Sequence, residues 1–159
     1  VIATVNLETG NQDESTVNVS EGVGAVVDGG VAESILLLRN GELKLLQQAR
    51  GRYKKVLKPS GGLQNLPVSG EDTVLTPEEI EQVRRLVASV KAKYPPVKTA
   101  AGAVMPWDIE FGFEKGQLRL FQIRPLVRYQ QIQTLELFAR LDRQARSVES
   151  VHLDETPVL

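Results

Sequence analysis

The stretch that most constrains this chain spans residues 106–126 and reads PWDIEFGFEKGQLRLFQIRPL. Its apolar and polar side chains alternate, and a Lys-Gly pair lies near its middle, so the stretch predicts a β-hairpin. Successive side chains of a strand point to opposite faces, which places Asp108 and Glu110 together on the outgoing strand. Gln122 and Arg124 share a face of the returning strand for the same reason. The hairpin therefore gathers two carboxylates, a carboxamide and a guanidinium.

The turn of this hairpin decides which of the polar side chains meet. A three-residue turn over residues 114–116, with its glycine left-handed, pairs Asp108 with Gln122. Glu110 then lies diagonally from Gln122 on the same face. Mg²⁺ binds one or two carboxylates together with phosphate oxygens, and the guanidinium of Arg124 matches a phosphate. The cluster predicts a metal–nucleotide site; the alternative is a plain ion pair between Asp108 and Arg124 on a solvated sheet face.

Strand-like sequence dominates the chain before the hairpin. Short runs of β-branched and aliphatic residues alternate with polar and glycine-rich segments, and Asn40-Gly41 is a strong hairpin turn signal. A glycine-rich stretch at residues 20–31 either holds phosphate on its N–H groups or bends the chain. A basic group at residues 50–58 is interpreted as a solvated edge strand. The predicted strands cover residues 1–6, 17–19, 33–39, 43–48 and 53–57, with an edge segment at 63–68.

Two helices are predicted to cover the sheet. Thr76 at the N-cap, Pro77 at the first helical position and Glu79 form a capping box ahead of apolar residues at helical spacing. This helix ends before Pro95, and a second helix runs from about residue 129 to residue 146. Strands, helix, hairpin and helix in this order indicate an α+β fold with a mainly antiparallel sheet and two packed helices.

Composition excludes several classes of protein. The chain has 159 residues, of which 42% are hydrophobic, and its net charge of −1 gives no reason to expect nucleic acid or an anionic membrane as partner. It contains no cysteine, and no apolar run is long enough to span a bilayer. We therefore expect a cytoplasmic protein. The chain starts with Val1, and we expect it to be a piece of a longer protein. His152 is interpreted as a surface or linker residue.

Two short motifs resemble a known family. DIEF at residues 108–111, followed by QIRP at residues 122–125, is similar to the end of the nucleotide-binding domain of phosphoenolpyruvate synthase and pyruvate phosphate dikinase. The glycine-rich stretch occupies the place of that family's glycine-rich motif. It departs from the motif in having Ala25 where a glutamate is expected and Ala32-Glu33-Ser34 where Pro-Asp is usual. The resemblance covers about residues 1–127.

The resemblance implies a fold and a set of ligands. Residues 1–127 would form the C-terminal subdomain of an ATP-grasp fold, and residues 128–159 a C-terminal helix and linker. Its ligands would be ATP and Mg²⁺. The implied site residues are Glu110 and Gln122 for Mg²⁺ and the ATP phosphates, Asp108 as support of the metal cluster, and Arg124, the catalytic residue, for the transferred phosphoryl group.

The resemblance also implies a reaction. Phosphate would pass from ATP to a histidine on another domain and then to pyruvate or a similar small acceptor, while the chain alone would be inactive. The alternative is a non-catalytic regulatory or interaction module that retains the fold. The altered glycine-rich stretch favours this alternative, whereas the retained Glu110, Gln122 and Arg124 argue for a phosphotransferase.

Overall fold

In the computed structural model of the chain, residues 1–24, 26, 31–70 and 73–127 are described, and they form ten strands and one helix. The second predicted helix, residues 129–146, lies outside the described residues, as does His152. The helix is α1 (Pro77–Lys93). The strands are β1 (Ile2–Ala3), β2 (Ser15–Val19), β3 (Glu33–Leu37), β4 (Leu43–Gln47), β5 (Tyr53–Leu57), β6 (Leu63–Pro67), β7 (Val97–Lys98), β8 (Val104–Met105), β9 (Trp107–Glu114) and β10 (Gln117–Pro125).

The main sheet has six strands in the order β10-β9-β1-β2-β3-β4, and every neighbouring pair is antiparallel. This confirms the α+β class with a mainly antiparallel sheet. The short strand β1 lies near the middle, where Ile2 faces Val17 on one side and Ile109 on the other. All three side chains are almost completely buried. Two small ribbons, β5–β6 and β7–β8, form separate two-stranded sheets.

Helix α1 packs its apolar residues against the core on one face of this sheet. Gln82 also ties the helix to the hairpin, since its Nε2 donates to the Gly116 carbonyl at 2.8 Å and its Oε1 accepts from the Leu118 N–H at 3.0 Å. In the described part of the chain, no helix is long and apolar enough to cross a bilayer. The buried apolar core comprises Ile2, Val17, Val19, Ile35, Leu37, Leu75, Val83, Val87, Val90 and Ile109.

The compact unit Val1–Leu126 contains the predicted hairpins. Strands β3 and β4 pair around the predicted turn, and Gly41 there is left-handed with φ 88°. The predicted edge segment at residues 63–68 contains β6, which pairs with β5 along its whole length.

The start of α1 has the predicted capping box. Thr76 Oγ1 accepts a hydrogen bond from the Glu79 N–H at 3.2 Å, and Glu79 Oε2 accepts one from the Thr76 N–H at 3.0 Å. Pro77 occupies the first helical position, where its missing N–H costs nothing. Two backbone donors that the helix cannot satisfy are thus satisfied by side chains.

Replacing the capping hydroxyl should destabilise the domain. We expect Thr76→Ala to lower the free energy of unfolding by about 1 kcal/mol, because the Glu79 N–H loses its acceptor. Urea denaturation would measure the loss. Thr76→Ser keeps the hydroxyl and should change stability by no more than a few tenths of a kcal/mol. An equal loss in both variants would contradict the capping role.

Candidate functional site

The site predicted from the hairpin forms on the face of β9 and β10 that points away from α1. Arg124 Nε donates to Asp108 Oδ2 at 2.8 Å, and Arg124 Nη2 lies 3.6 Å from Glu110 Oε1. Gln122 is directly opposite Glu110 in the strand pairing, and side chains of directly opposed residues share a face. The structure therefore brings all four predicted site residues to one face of the hairpin.

The turn that joins these strands differs from the predicted one. Glu114 pairs directly with Gln117, so Lys115 and Gly116 alone form the turn. Their φ angles are 53° and 73°, the left-handed values of a two-residue turn whose twist matches the flanking strands. The predicted left-handed glycine is confirmed. The predicted three-residue turn is wrong because Lys115 also adopts the left-handed conformation.

An extra residue in β10 restores the common face that the shorter turn would destroy. Counted from the turn alone, Gln122 and Arg124 would point to the apolar face, because a one-residue slip reverses every side chain. The register shifts after Leu120, and Phe121 is the extra residue of a β-bulge. Beyond the bulge, Arg124 again points to the face of Asp108.

The observed pairs are therefore Asp108 with Arg124 and Glu110 with Gln122. The predicted pairing of Asp108 with Gln122 is wrong. The short turn and the bulge together move the returning strand by two residues relative to that prediction. A two-residue shift preserves the face of each side chain, so the predicted grouping survives the error in register.

The two carboxylates hold Arg124 unequally. The Asp108 side chain is 10% exposed and forms a hydrogen bond of normal length with the guanidinium, whereas the Glu110 side chain is 30% exposed and its 3.6 Å contact is too long for a hydrogen bond. The hydrogen bond and the negative charge of Asp108 raise the pKa of Arg124. Glu110 thus remains the carboxylate that is more available to a second cation.

The chemistry of the oxygen donors limits the kind of metal site. No group of three or more His, Cys, Asp or Glu side chains is placed to hold a metal ion within the described ranges. The hairpin offers the carboxylates of Glu110 and Asp108 and the carboxamide of Gln122, with a guanidinium next to them. This set does not form a protein-only cage, but it fits a hard cation that is shared with phosphate oxygens.

A cavity of about 500 Å³ adjoins this cluster on the side of the glycine-rich stretch. Glu110 and Phe121 line it from the hairpin, Gly22 and Gly24 from the glycine-rich stretch, and Lys54 from β5. Its walls combine charged and apolar side chains. The first residues of the glycine-rich stretch and Glu110 of the acidic face therefore line the same cavity.

Glu21 fastens the glycine-rich stretch to the β5–β6 ribbon. Its carboxylate accepts hydrogen bonds from Lys54 Nζ, from the Ser69 N–H at 2.9 Å and from Ser69 Oγ. Burial disfavours the charge on Glu21, but the hydrogen bonds from Lys54 and Ser69 outweigh burial and lower its pKa. Lys54 is therefore an exception to the predicted solvated basic edge. Sequence reasoning missed this anchor because Glu21 and Ser69 lie 48 positions apart with no motif to link them.

The backbone of the same stretch packs directly on β5. The Val23 N–H donates to the Lys55 carbonyl at 2.9 Å. Gly22 has φ 83°, and a Cβ at this position would collide with that same carbonyl oxygen. Only glycine accommodates both the left-handed conformation and the close approach. The packing accounts for the bend that the sequence suggested for this stretch.

The Glu21 anchor predicts a pH-dependent contribution to stability. Because folding lowers the pKa of Glu21 from 4.5, its ionised form stabilises the fold above that value, and the contribution is lost as pH falls through the lower folded pKa. We expect Glu21→Gln to lower the free energy of unfolding at pH 7 by on the order of 1 kcal/mol. The difference from the unmodified chain should shrink below about pH 4.

Urea denaturation across this pH range would test the prediction. Glu8→Gln replaces an exposed carboxylate and serves as the control, with stability expected to follow the unmodified chain at every pH. If Glu21→Gln lowers the free energy of unfolding by the same amount at acidic pH as at pH 7, the negative charge of Glu21 is not what stabilises the fold.

Comparison with known protein families gives a match over most of the chain. The family model described as "Pyruvate phosphate dikinase, AMP/ATP-binding domain" matches residues 1–144 of the 159-residue chain. The matched region includes the whole six-stranded sheet, α1 and the hairpin that carries the acidic cluster. A search of curated proteins found no match to the chain.

Proposed function

The chain belongs to the family of pyruvate phosphate dikinase AMP/ATP-binding domains, and we propose that it binds the phosphates of ATP on the β9–β10 face as part of a phosphotransferase. One observation carries the proposal: Arg124 lies between the carboxylates of Asp108 and Glu110 on a face shared with Gln122. The family match supports nucleotide binding, and the geometry favours this face because its chemistry suits a metal–phosphate complex.

Arg124 supplies the phosphate-binding group in this proposal. Its guanidinium is planar and presents paired N–H donors that match two oxygens of one phosphoryl group. Because Nε donates to Asp108, the orientation of the fork is fixed before a ligand arrives. The side chain nevertheless remains 56% exposed, so a phosphate can reach it. Prior orientation of this kind is what phosphoryl transfer requires, since it depends mainly on positioning and charge stabilisation.

Glu110 and Gln122 would hold Mg²⁺ together with the phosphates. Glu110 is partly exposed and contacts Arg124 only at 3.6 Å, so binding a cation does not require breaking a hydrogen bond. A bound Mg²⁺ would neutralise negative charge on the phosphate oxygens. Asp108, also predicted from the sequence as a metal ligand, accepts a hydrogen bond from Arg124 Nε. This contact favours a supporting role in which Asp108 orients the guanidinium.

The wider function follows from the resemblance noted in the sequence. We propose that residues 1–127 form the C-terminal subdomain of an ATP-grasp fold and residues 128–159 a helix and linker. An opposing subdomain with phosphate-binding lysine and arginine would complete the cleft. Phosphate would then pass to a histidine on another domain and on to pyruvate or a similar acceptor. A cytoplasmic location is part of the same proposal.

Replacing Arg124 by lysine tests the phosphate site. Lysine keeps the positive charge but cannot reproduce the planar fork, so we expect Arg124→Lys to raise the Kd for Mg·ATP at least about tenfold, or roughly 1.4 kcal/mol. NMR titration or calorimetry would measure the change. The melting temperature should change little, because lysine keeps a positive charge beside Asp108 and the side chain that it replaces is 56% exposed.

Arg119→Lys is the matched control for that experiment. Arg119 lies on the same strand and also pairs with a glutamate, since its Nε is 3.4 Å from Glu114 Oε2, but it lies outside the acidic cluster. Its replacement should leave the Kd unchanged. If Arg124→Lys binds Mg·ATP as well as the unmodified chain does, the proposed phosphate role of Arg124 is wrong. Absence of nucleotide binding by the unmodified chain would support the non-catalytic module instead.

The chain alone should not turn over ATP. The hairpin supplies one side of a phosphate site, and catalysis by positioning is lost when the groups opposite are missing. We expect no ATP hydrolysis and no phosphorylation of pyruvate above background in assays with Mg²⁺. A preparation of Arg124→Lys made in parallel controls for contaminating kinases. Turnover that disappears in this variant would place a complete catalytic site within the chain.

A further inference from the structure

Phe121 is an exposed aromatic residue that the β-bulge places beside the acidic face. Its relative exposure is 68%, and it lines the cavity together with Glu110. Its position is unexpected, because the apolar side chains of the hairpin otherwise point to the core: Phe111 and Phe113 pack against the core on the opposite face. The bulge frees Phe121 from strand pairing and from that alternation.

Gly112 provides the floor under the Phe121 ring. It lies between Phe111 and Phe113 on β9, so its missing side chain belongs to the face of Glu110. A Cβ at Gly112 would lie 3.0 Å from both Cε2 and Cζ of Phe121, which shows that the ring covers this position. One side of the ring therefore packs on Gly112. The other side is open beside the acidic cluster, since Phe121 is 68% exposed.

We propose that Phe121 is the platform on which the adenine ring of the nucleotide stacks, so that one strand contacts both the base and the phosphates. The inference rests on the proposed function, which places the phosphates at Arg124. Phe121 and Arg124 are three positions apart, or roughly 10 Å along a strand, which suits a nucleotide lying along β10. Covering the open side of the ring also removes apolar surface from water, which favours binding.

The chemistry of stacking gives this platform a defined selectivity. Every base has a π-face, so stacking on Phe121 adds affinity without distinguishing one base from another. A ligand without a base gains nothing from the ring. The proposal therefore separates nucleotide from inorganic polyphosphate, a distinction that neither Arg124 nor a bound cation can make.

The test compares two probes, Mg·ATP and Mg·tripolyphosphate, by calorimetry or NMR titration of the whole chain. We expect Phe121→Ala to raise the Kd for ATP about tenfold or more while the Kd for tripolyphosphate stays within about twofold. Phe121→Leu keeps an apolar side chain in the bulge but has no π-face. It should therefore lose much of the preference of the chain for ATP over tripolyphosphate. Phe121→Tyr keeps the aromatic ring and should retain this preference for ATP.

Leu120→Ala is the control variant, because Leu120 is 46% exposed and pairs with Phe111 on the opposite face. It should leave both dissociation constants unchanged. If Phe121→Ala weakens ATP and tripolyphosphate equally, the residue acts only through the bulge, and the stacking proposal is overturned. Unchanged ATP binding in Phe121→Ala overturns it as well.

The same data distinguish this inference from the function on which it rests. If the unmodified chain binds neither probe, the proposed phosphate site fails, and the stacking proposal fails with it. If the chain binds both probes with the same affinity, and Arg124→Lys weakens both, the phosphate site stands while the base platform is overturned. A preference for ATP that is lost in Phe121→Ala and kept in Phe121→Tyr supports both.

Discussion

The acidic face of this domain depends on a β-bulge at Phe121. A two-residue turn sets the strands β9 and β10 in a register that would send Gln122 and Arg124 into the apolar face. A guanidinium there would lie among apolar side chains and lose part of its hydration, which is unfavourable. One extra residue reverses the alternation, so that Arg124 meets Asp108 and Ile123 meets Ile109. The bulge therefore places Ile123 on the apolar face and Arg124 in the polar cluster.

The glycine-rich stretch is held by a second set of interactions that is independent of the hairpin. Glu21 and Gly22 fix its start against the β5–β6 ribbon, through a carboxylate that bonds Lys54 and through close contact with the Lys55 carbonyl. These residues line the same cavity as Glu110. A ligand bound at the acidic face would therefore have a preformed wall on that side, built by a ribbon that does not belong to the main sheet.

Local sequence signals predicted much of the fold, whereas the strand register of the hairpin and the contacts between distant segments were not predicted. The capping box at Thr76 and the Asn40-Gly41 turn require only neighbours in sequence, and both are confirmed. Alternation correctly placed Asp108 with Glu110 and Gln122 with Arg124, but the common face of the two strands also depends on the turn and the bulge. Turn length could not be fixed, because the left-handed conformation of Lys115 is rare for a residue with a side chain. The bulge has no signature in the letters LRLFQIRP, and the Glu21–Ser69 contact joins distant segments.

Asp108 and Glu110 contact Arg124 unequally, and this difference would let one cluster bind both a phosphate and a cation, as proposed. Asp108 is nearly buried and holds Nε, so it can fix the guanidinium while the Nη2 edge remains directed toward Glu110. In the absence of a ligand, the positive charge of Arg124 offsets part of the repulsion between the two carboxylates. In the proposed function, a metal–phosphate complex would bring its own cation to Glu110 and its own anion to Arg124. Each charge of the cluster would then gain an opposite partner, while the hydrogen bond between Asp108 and Arg124 is kept.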